Sequence, residues 1–204
     1  AYYYDKPERT VSLTAYVQYE GETDIKKGGT HTYTVKYGGC PDNNHPHMID
    51  LGLPSGTKWA CCNVGASSPE QAGDYYAWGE TSTKSVYDIK NYQFRGDTYD
   101  GRPLLNIGDD IAGTNYDVAT VKWGAPWRMP TLDEMKKLIS ECTSVWMTYN
   151  GVYGRKFTGP NGGTIFLPAA GFRWDGELYC AGSYGYYWSS TLYESYPDDA
   201  YYLF

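Results

Sequence analysis

The sequence predicts an α+β protein in which short antiparallel strands outnumber short helices. Its 204 residues include 24 glycines, 11 prolines, 23 tyrosines and seven tryptophans, a composition typical of turn-rich β-structure rather than of a helical bundle. Short apolar runs in the last third of the chain predict strands over 164–167, 186–191 and 200–204. We therefore expect a twisted antiparallel sheet with short helices packed beside it.

The first 39 residues differ in pattern from the rest of the chain. Alternation of apolar and polar residues over 11–19 and a second run at 32–37, joined by a polar turn at 26–29, predict a β-hairpin. A lone hairpin is marginally stable in water, so it either packs on the main domain or ends a second, partial β-sandwich-like domain. We favour the latter for residues 1–39, with a linker over 40–48 and the main domain over 49–204.

The clearest helix signal in the main domain begins at Thr131. Thr131 and Glu134 fit a reciprocal capping box. Apolar residues follow on one helical face: Leu132, Met135, Leu138, Ile139 and Cys142.

Weaker patterns predict further elements. A cap residue followed by Pro predicts a short helix over 67–73, and an apolar pattern closed by Gly predicts another over 114–124. Two hairpins are expected, one around the Pro-Ser-Gly turn at 54–56 and one over Asn150-Gly151. The polar stretch 81–110 is predicted to be a surface insertion.

Charge and hydropathy exclude several function classes. The formal net charge is −7 and no Lys/Arg cluster occurs, so we expect neither nucleic acid nor an anionic membrane as the main partner. No apolar run approaches the roughly 20 residues that span a bilayer, and direct membrane insertion is not expected.

The cysteines and histidines predict neither a disulfide scaffold nor a metal site. Five cysteines leave one unpaired. Cys61 and Cys62 would point to opposite faces of a strand, which would bury at most one of them. Cys40, His45 and His47 have zinc-ligand chemistry but lack a fourth ligand, so no cofactor is predicted.

The segment 162–204 is dense in Tyr, Ser, Gly and Asp. This composition is typical of binding surfaces, because Tyr offers broad, stiff contact area and the small residues let loops adapt. Tyr is equally usable in a core, so burial of these rings is the alternative. Tyr186 and Trp188 share a strand face, and we expect Trp188 to be a core ring.

Six motifs carry a resemblance to a known family. They read DLGLPSGTKWA at 50–60, CNVGA at 62–66, GDYYAWGE at 73–80, WRMPT at 127–131, FLPAAG at 166–171 and YWSST at 187–191. In this order they resemble the Fibrobacter succinogenes major paralogous domain over Ile49 to Phe204. The resemblance implies a C-type lectin-like fold of the formylglycine-generating-enzyme type.

The same resemblance implies a function and a location. Family members are mostly secreted or surface lipoproteins and pilus-associated proteins of Bacteroidetes, so we expect an adhesin at the cell surface or outside the cell. Its partner would be a protein or glycan on another cell, a host surface or a phage, with a neighbouring pilus or surface subunit as a further partner. Family members also continue past the equivalent of Phe204 into a closing strand, so we expect either that this strand lies outside the given sequence or that the sheet edge is open to a strand supplied by a neighbour.

Some relatives are targets of diversity-generating retroelements, which mutate template adenines. Randomised AAC codons yield Tyr, Ser, Asp or Cys but neither Trp nor Glu, so Trp174, Glu177, Trp188 and Glu194 are expected to be framework residues. The candidate variable, ligand-binding positions are Tyr179, Cys180, Tyr184, Tyr186, Tyr193, Ser195, Tyr196, Asp198, Asp199 and Tyr202.

Two other functions follow from the same fold class. An oxidase like the formylglycine-generating enzyme needs a reactive cysteine pair, and no recognisable motif surrounds the cysteines, so we expect no enzyme. A calcium-dependent sugar lectin uses Glu-Pro-Asn or Gln-Pro-Asp, and neither tripeptide occurs. Four acidic residues are either a structural calcium site or a solvated loop: Asp97, Asp100, Asp109 and Asp110.

Overall fold

The computed structural model describes residues 8–17, 26–36, 44–99, 102–105, 107–193 and 199–204. The chain divides into two compact units, Ala1–Gly39 and Cys40–Phe204. Over the described residues the protein is mixed helix and sheet, with few helices and several small antiparallel sheets. The α+β prediction is confirmed at this level.

In the first unit, the described residues form one antiparallel pair, β1 (Glu8–Val17) with β2 (Lys26–Lys36). The predicted turn at 26–29 is wrong, because these residues belong to β2. Thr14 pairs with Thr30 but Tyr16 pairs with Lys27, so β2 carries one extra residue at its Gly-Gly step. Glycine marks such bulges because it lacks a side chain to pack.

The second unit opens with the predicted hairpin of β3 (Met48–Asp50) and β4 (Lys58–Ala60). Its turn is closed by the Gly56 N–H, which donates to the Leu53 carbonyl at 2.8 Å. The predicted helix over 67–73 is wrong, and this stretch is a set of turns. The Gln71 side-chain oxygen accepts from the Ser67 N–H at 2.9 Å, a local bond that competes with helix formation.

The polar insertion has local structure of its own. A 3₁₀ turn covers Ile89–Asn91, and a short hairpin follows, formed by β5 (Arg95–Tyr99) and β6 (Arg102–Leu105). The Asp88 carboxylate caps the 3₁₀ turn by accepting from the N–H groups of Lys90 and Asn91.

The part of the chain that the structure describes contains two α-helices, and both are short. α1 (Val118–Trp123) begins after the cap residue Asp117 and ends at Gly124, whose φ is 76°. α2 (Leu132–Glu141) has the predicted capping box between Thr131 and Glu134. Its apolar face is confirmed at Met135, Leu138 and Cys142, which are buried, but Ile139 is 56% exposed.

The remaining strands lie after α2. A three-stranded antiparallel sheet contains β7 (Thr143–Tyr149), β8 (Val152–Thr158) and β9 (Thr164–Pro168). The turn between β7 and β8 is the predicted one, with φ values of 47° at Asn150 and 81° at Gly151. Two further antiparallel pairs are β10 (Phe172–Trp174) with β11 (Glu177–Tyr179) and β12 (Tyr187–Leu192) with β13 (Ala200–Leu203).

Among the described residues of the second unit, two clusters of buried side chains form the core. One joins α2 to β8 and β9, and the other joins α1 to β12 and β13. The first contains Leu51, Leu53, Leu138, Cys142, Phe157 and Ile165, and the second contains Trp78, Ile111, Val118, Ala119, Met129, Leu192 and Ala200. Among the described residues, neither helix is long and apolar enough to cross a membrane.

Candidate ligand-binding surface

The candidate surface begins at the hairpin of β10 and β11. The two strands meet over Asp175 and Gly176, whose φ values are 46° and 84°. An Asp-Gly pair suits this turn because both residues tolerate positive φ. The hairpin places Phe172 opposite Tyr179 in the ladder, so their rings lie on one face.

A tight loop connects this hairpin to β12. The Cys180 carbonyl accepts from the N–H groups of Ser183 and Tyr184, at 3.0 and 2.9 Å. The Gly171 N–H donates to the Tyr184 carbonyl at 2.7 Å, and the Gly182 N–H donates to the Ala169 carbonyl at 2.7 Å. These backbone bonds fix the loop that presents Cys180 and Tyr184, which are both exposed.

Six aromatic rings form a continuous patch, which we call the aromatic surface. The Phe172 ring stacks on Tyr179 with a centroid distance of 5.6 Å and meets Tyr186 edge-on at 4.8 Å. The chain of contacts continues from Tyr186 to Tyr202 at 5.6 Å and from Tyr202 to Trp188 at 5.8 Å. The aromatic surface comprises Phe172, Tyr179, Tyr186, Trp188, Tyr202 and Phe204.

Much of this patch is open to solvent. The exposed fractions are 43% for Tyr179, 43% for Tyr202, 36% for Trp188 and 75% for Phe204. Tyr186 is half-buried at the centre of the patch. An exposed and contiguous apolar patch is unusual on a protein surface and typically marks an interaction site.

The Tyr186 phenol lies near the loop residues Cys180 and Tyr184 and near the Tyr202 ring. Desolvation raises the pKa of the Tyr186 phenol, and the nearby Cys180, Tyr202 and Tyr184 raise it further. The phenol is therefore uncharged at neutral pH, and its hydroxyl can both donate and accept a hydrogen bond to a ligand.

Five of the ten predicted positions therefore lie together: Tyr179, Cys180, Tyr184, Tyr186 and Tyr202. Tyr193 is placed differently, because its ring packs on Tyr201 at 4.7 Å, and Tyr201 points to the opposite strand face from Tyr202. Asp199 is exposed, and its carboxylate accepts from the Ala200 N–H. Ser195, Tyr196 and Asp198 lie outside the described residues.

Trp188 is not the core ring that the sequence predicts. It is 36% exposed and its indole N–H donates to the Tyr76 carbonyl at 3.2 Å. The buried indole beneath β12 is Trp78, which is 4% exposed and donates to the Ser189 carbonyl at 2.8 Å. Trp174 on β10 is likewise exposed, at 57%.

Sequence reasoning missed three apolar contributors to this region. Phe172 and Phe204 belong to the aromatic surface, and Leu178 is 43% exposed on β11. The strand that contains Phe172 could have been predicted from the sequence, because Asp175-Gly176 lies between two short apolar stretches, which is a hairpin pattern. The exposed position of Phe204 has no such local signal.

A cavity of about 970 Å³ adjoins the aromatic surface. Its walls include Phe172, Tyr186, Trp188 and Tyr202 from the patch, and Trp59 from β4. The Trp59 indole N–H is buried and has no hydrogen-bond partner among the described residues. Concave, mainly apolar spaces of this size with a few polar groups are typical small-ligand sites.

The residues that the sequence analysis named for the two alternative functions have the following places in the structure. The Cys61 and Cys62 sulfurs lie 3.7 Å apart, but both side chains are buried, at 5% and 6% exposure. The prediction that at most one of them is buried is wrong, because they lie in a bend after β4 and not in a strand. Asp109 and Asp110 are exposed, which fits a solvated loop.

Comparison with known proteins assigns no relative: no family model, no curated protein and no solved structure matches the chain.

Proposed function

We propose that this chain is a surface-displayed ligand-binding protein that contacts a protein or glycan through the aromatic surface. The observation that carries the proposal is the convergence of Tyr179, Tyr184, Tyr186 and Tyr202 at one solvent-accessible region. Tyr179, Tyr184 and Tyr186 lie within eight consecutive residues, whereas Tyr202 comes from β13 and reaches Tyr186 only through the fold. Rings of this kind supply large contact area at low entropic cost.

The proposed architecture is a C-type lectin-like fold, as the sequence motifs imply. The short helices and small antiparallel sheets seen among the described residues of the second unit are compatible with such a fold, and the aromatic surface lies in the segment that varies in some proteins of the resembled family. We propose an extracellular or cell-surface location on the same basis, with an adhesive role.

The proposal includes diversification of the candidate positions by a retroelement. Tyr179, Tyr184, Tyr186 and Tyr202 are all reachable from adenine-mutated AAC codons, whereas Trp188 within the same patch is not. The surface would then combine a fixed indole with exchangeable phenols. A near-identical DNA repeat with adenines at these codons, beside a reverse transcriptase gene, is the expected finding. A gene without this repeat would remove the diversification proposal and leave the binding proposal intact.

The binding proposal is tested with a double variant, Tyr179→Ser with Tyr202→Ser. Serine keeps a hydroxyl and is itself reachable at such codons, while the ring contact area is lost. The probes are a printed glycan array and a panel of intact cells and phage particles. We expect at least one saturable interaction of the unmodified chain to weaken about 30-fold in the double variant, as a hot-spot contribution of about 2 kcal/mol implies.

Tyr153→Ser is the matched control. Tyr153 lies on β8, is 53% exposed and stacks on Trp146 at 6.3 Å, so it is an exposed ring outside the aromatic surface. Its replacement should leave binding unchanged. Equal loss in the control and the double variant, or a lowered melting temperature that accounts for the loss, would contradict the proposal.

A calcium-selective chelator separates a calcium-dependent lectin, whose binding would disappear, from the mechanism proposed here.

A further inference from the structure

The start of the second unit brings two histidines beside two cysteines. His45 and His47 flank Pro46 just before β3, and Cys61 and Cys62 directly follow β4. Ligand atoms of His45, His47 and Cys61 all lie within 4.8 Å of one another. The Cys62 sulfur is 3.7 Å from the Cys61 sulfur and 3.6 Å from the Nδ1 atom of His45.

Four of the six distances between ligand atoms are close to the edges of a metal coordination tetrahedron, namely those that join the Cys61 sulfur to the Cys62 sulfur and to both Nδ1 atoms, and the Cys62 sulfur to Nδ1 of His45. With Zn–S bonds of about 2.3 Å and Zn–N bonds of about 2.0–2.1 Å, tetrahedral geometry requires S···S edges of about 3.8 Å and S···N edges of about 3.6 Å. The Cys61–Cys62 sulfur distance is 3.7 Å. The Cys61 sulfur lies 3.3 Å from Nδ1 of His45 and 3.5 Å from Nδ1 of His47.

The backbone of the β3–β4 hairpin fixes this arrangement. The Cys61 N–H donates to the His47 carbonyl at 3.0 Å, and the His47 N–H donates to the Cys61 sulfur at 3.1 Å. Met48 pairs with Ala60 in the adjacent ladder position, so the two ligand pairs leave the same end of the hairpin. Backbone N–H groups that donate to ligand sulfurs orient a metal site and stabilise its thiolates.

We propose that His45, His47, Cys61 and Cys62 bind one Zn²⁺ ion in a closed, structural Cys₂His₂ site. Two thiolates and two imidazoles favour zinc over calcium or magnesium, which prefer oxygen ligands. Binding releases one proton from each thiol as the two Zn–S bonds form, and the imidazoles bind in their neutral state. Four protein ligands leave no open position for a substrate, so the proposed ion acts in folding rather than in catalysis.

The proposed zinc ion would link residues 44–47, which precede β3, to residues 61–62, which follow β4. This differs from the set considered in the sequence, Cys40 with His45 and His47, which lacked a fourth ligand. The structure supplies two thiols that follow β4, while Cys40 lies outside the described residues. The proposal does not depend on the function of the aromatic surface.

The test uses the full chain, expressed in zinc-supplemented medium and purified with a non-thiol reductant. We expect one zinc ion per chain by elemental mass spectrometry. The variants Cys61→Ser and His47→Ala should weaken zinc binding at least about 100-fold in competition with a chromogenic chelator, because each removes a direct ligand. Cys142→Ser is the matched control, since Cys142 is also buried but caps α2, and it should keep the metal.

Cobalt substitution provides an absorption signal that arises from metal–thiolate bonds and is not produced by folding alone. Co²⁺ in the unmodified chain should show thiolate-to-cobalt charge-transfer absorption, which weakens in Cys61→Ser. Should both ligand variants unfold, titration of the metal-free unmodified chain decides, with zinc expected to raise its melting temperature. A reduced, folded chain that takes up no zinc overturns the proposal, as does a folded Cys61→Ser variant that binds zinc with unchanged affinity.

Discussion

The capping carboxylate of α2 predicts a measurable pH dependence of stability. Glu134 forms two 2.7 Å contacts with the Arg128 guanidinium, one from each of its carboxylate oxygens. It also accepts from the Thr131 N–H at 3.0 Å and from the Thr57 hydroxyl at 3.2 Å. Hydrogen bonding by Arg128 is the main reason that the pKa of Glu134 falls from 4.5 to about 2, against the opposing effect of burial.

The pKa of Glu134 sets an upper limit on what its charge contributes. A fall from 4.5 to about 2 corresponds to about 3.4 kcal/mol, at about 1.36 kcal/mol per pKa unit. The Arg128 side chain is 40% exposed, so solvent screens the pair and we expect about 1–2 kcal/mol. Because the folded-state pKa lies below the unfolded-state value, this stability is present above about pH 4.5 and is lost as the pH falls toward 2.

The assay is urea unfolding of the unmodified chain and Glu134→Gln between pH 7 and pH 2.5. Gln keeps the shape and an acceptor for the Thr131 N–H but removes the charge that faces Arg128. We expect a difference in unfolding free energy of about 1–2 kcal/mol at pH 7, which shrinks below pH 4.5. Asp133→Asn is the control, since Asp133 is 82% exposed and lies 3.8 Å from Lys136. A difference that stays constant across this pH range would refute the reasoning.

Two further predictions concern the core and the loop below the aromatic surface. Asp117→Ala should lower the free energy of unfolding in urea by about 3 kcal/mol or more, because the fully buried carboxylate accepts from three N–H groups, of Gly113, Thr120 and Met129. A decrease below about 1 kcal/mol would contradict this account. Gly171→Ala should lower the melting temperature and deprotect the Tyr184 amide to hydrogen exchange, because a Cβ atom would lie 2.1 Å from the Tyr179 carbonyl oxygen. Gly182→Ala is its control, with a similar φ of 79° and open space at the Cβ position, so equal effects of the two substitutions would exclude the steric cause.

Elements with a complete local signal were predictable from the sequence. The box of Thr131 and Glu134 satisfies backbone donors within one helical turn, and Asn150-Gly151 supplies two residues that tolerate positive φ. Residues 67–73 show the limit of such signals, because a single turn adds few backbone bonds and the Gln71 side chain provides a competing one. Local sequence patterns predict the structure correctly where the alternative local hydrogen bonds are less favourable.

The candidate sites depend on contacts between distant segments, which the sequence does not display. Composition identified the Tyr-rich segment, but the meeting of Phe172 with Tyr186 requires the register of two separate hairpins. The contact of His45 and His47 with Cys61 requires the β3–β4 ladder. The two histidines are 14–16 residues from Cys61 in the sequence, and the ladder brings their Nδ1 atoms to 3.3–3.5 Å from the Cys61 sulfur. Spacing rules for zinc sites therefore found no complete ligand set in this chain.

The position of Trp188 shows how β12 contributes both to the core and to the aromatic surface. Several hydrogen bonds hold β12 to other segments, among them those from the Trp78 indole to the Ser189 carbonyl, from the Ser190 N–H to the Pro130 carbonyl, and from the Leu132 N–H to the Thr191 hydroxyl. Ser189 and Ser190 are both fully buried, and the ladder to β13 shifts register between Trp188 and Leu192. Because Trp78 fills the core beneath β12, Trp188 is left on the outer face beside Tyr202. Trp188 is thus part of the surface that we propose for binding. If the neighbouring phenols are exchanged as we propose, the exchange should alter ligand preference and leave the Trp188 ring in place.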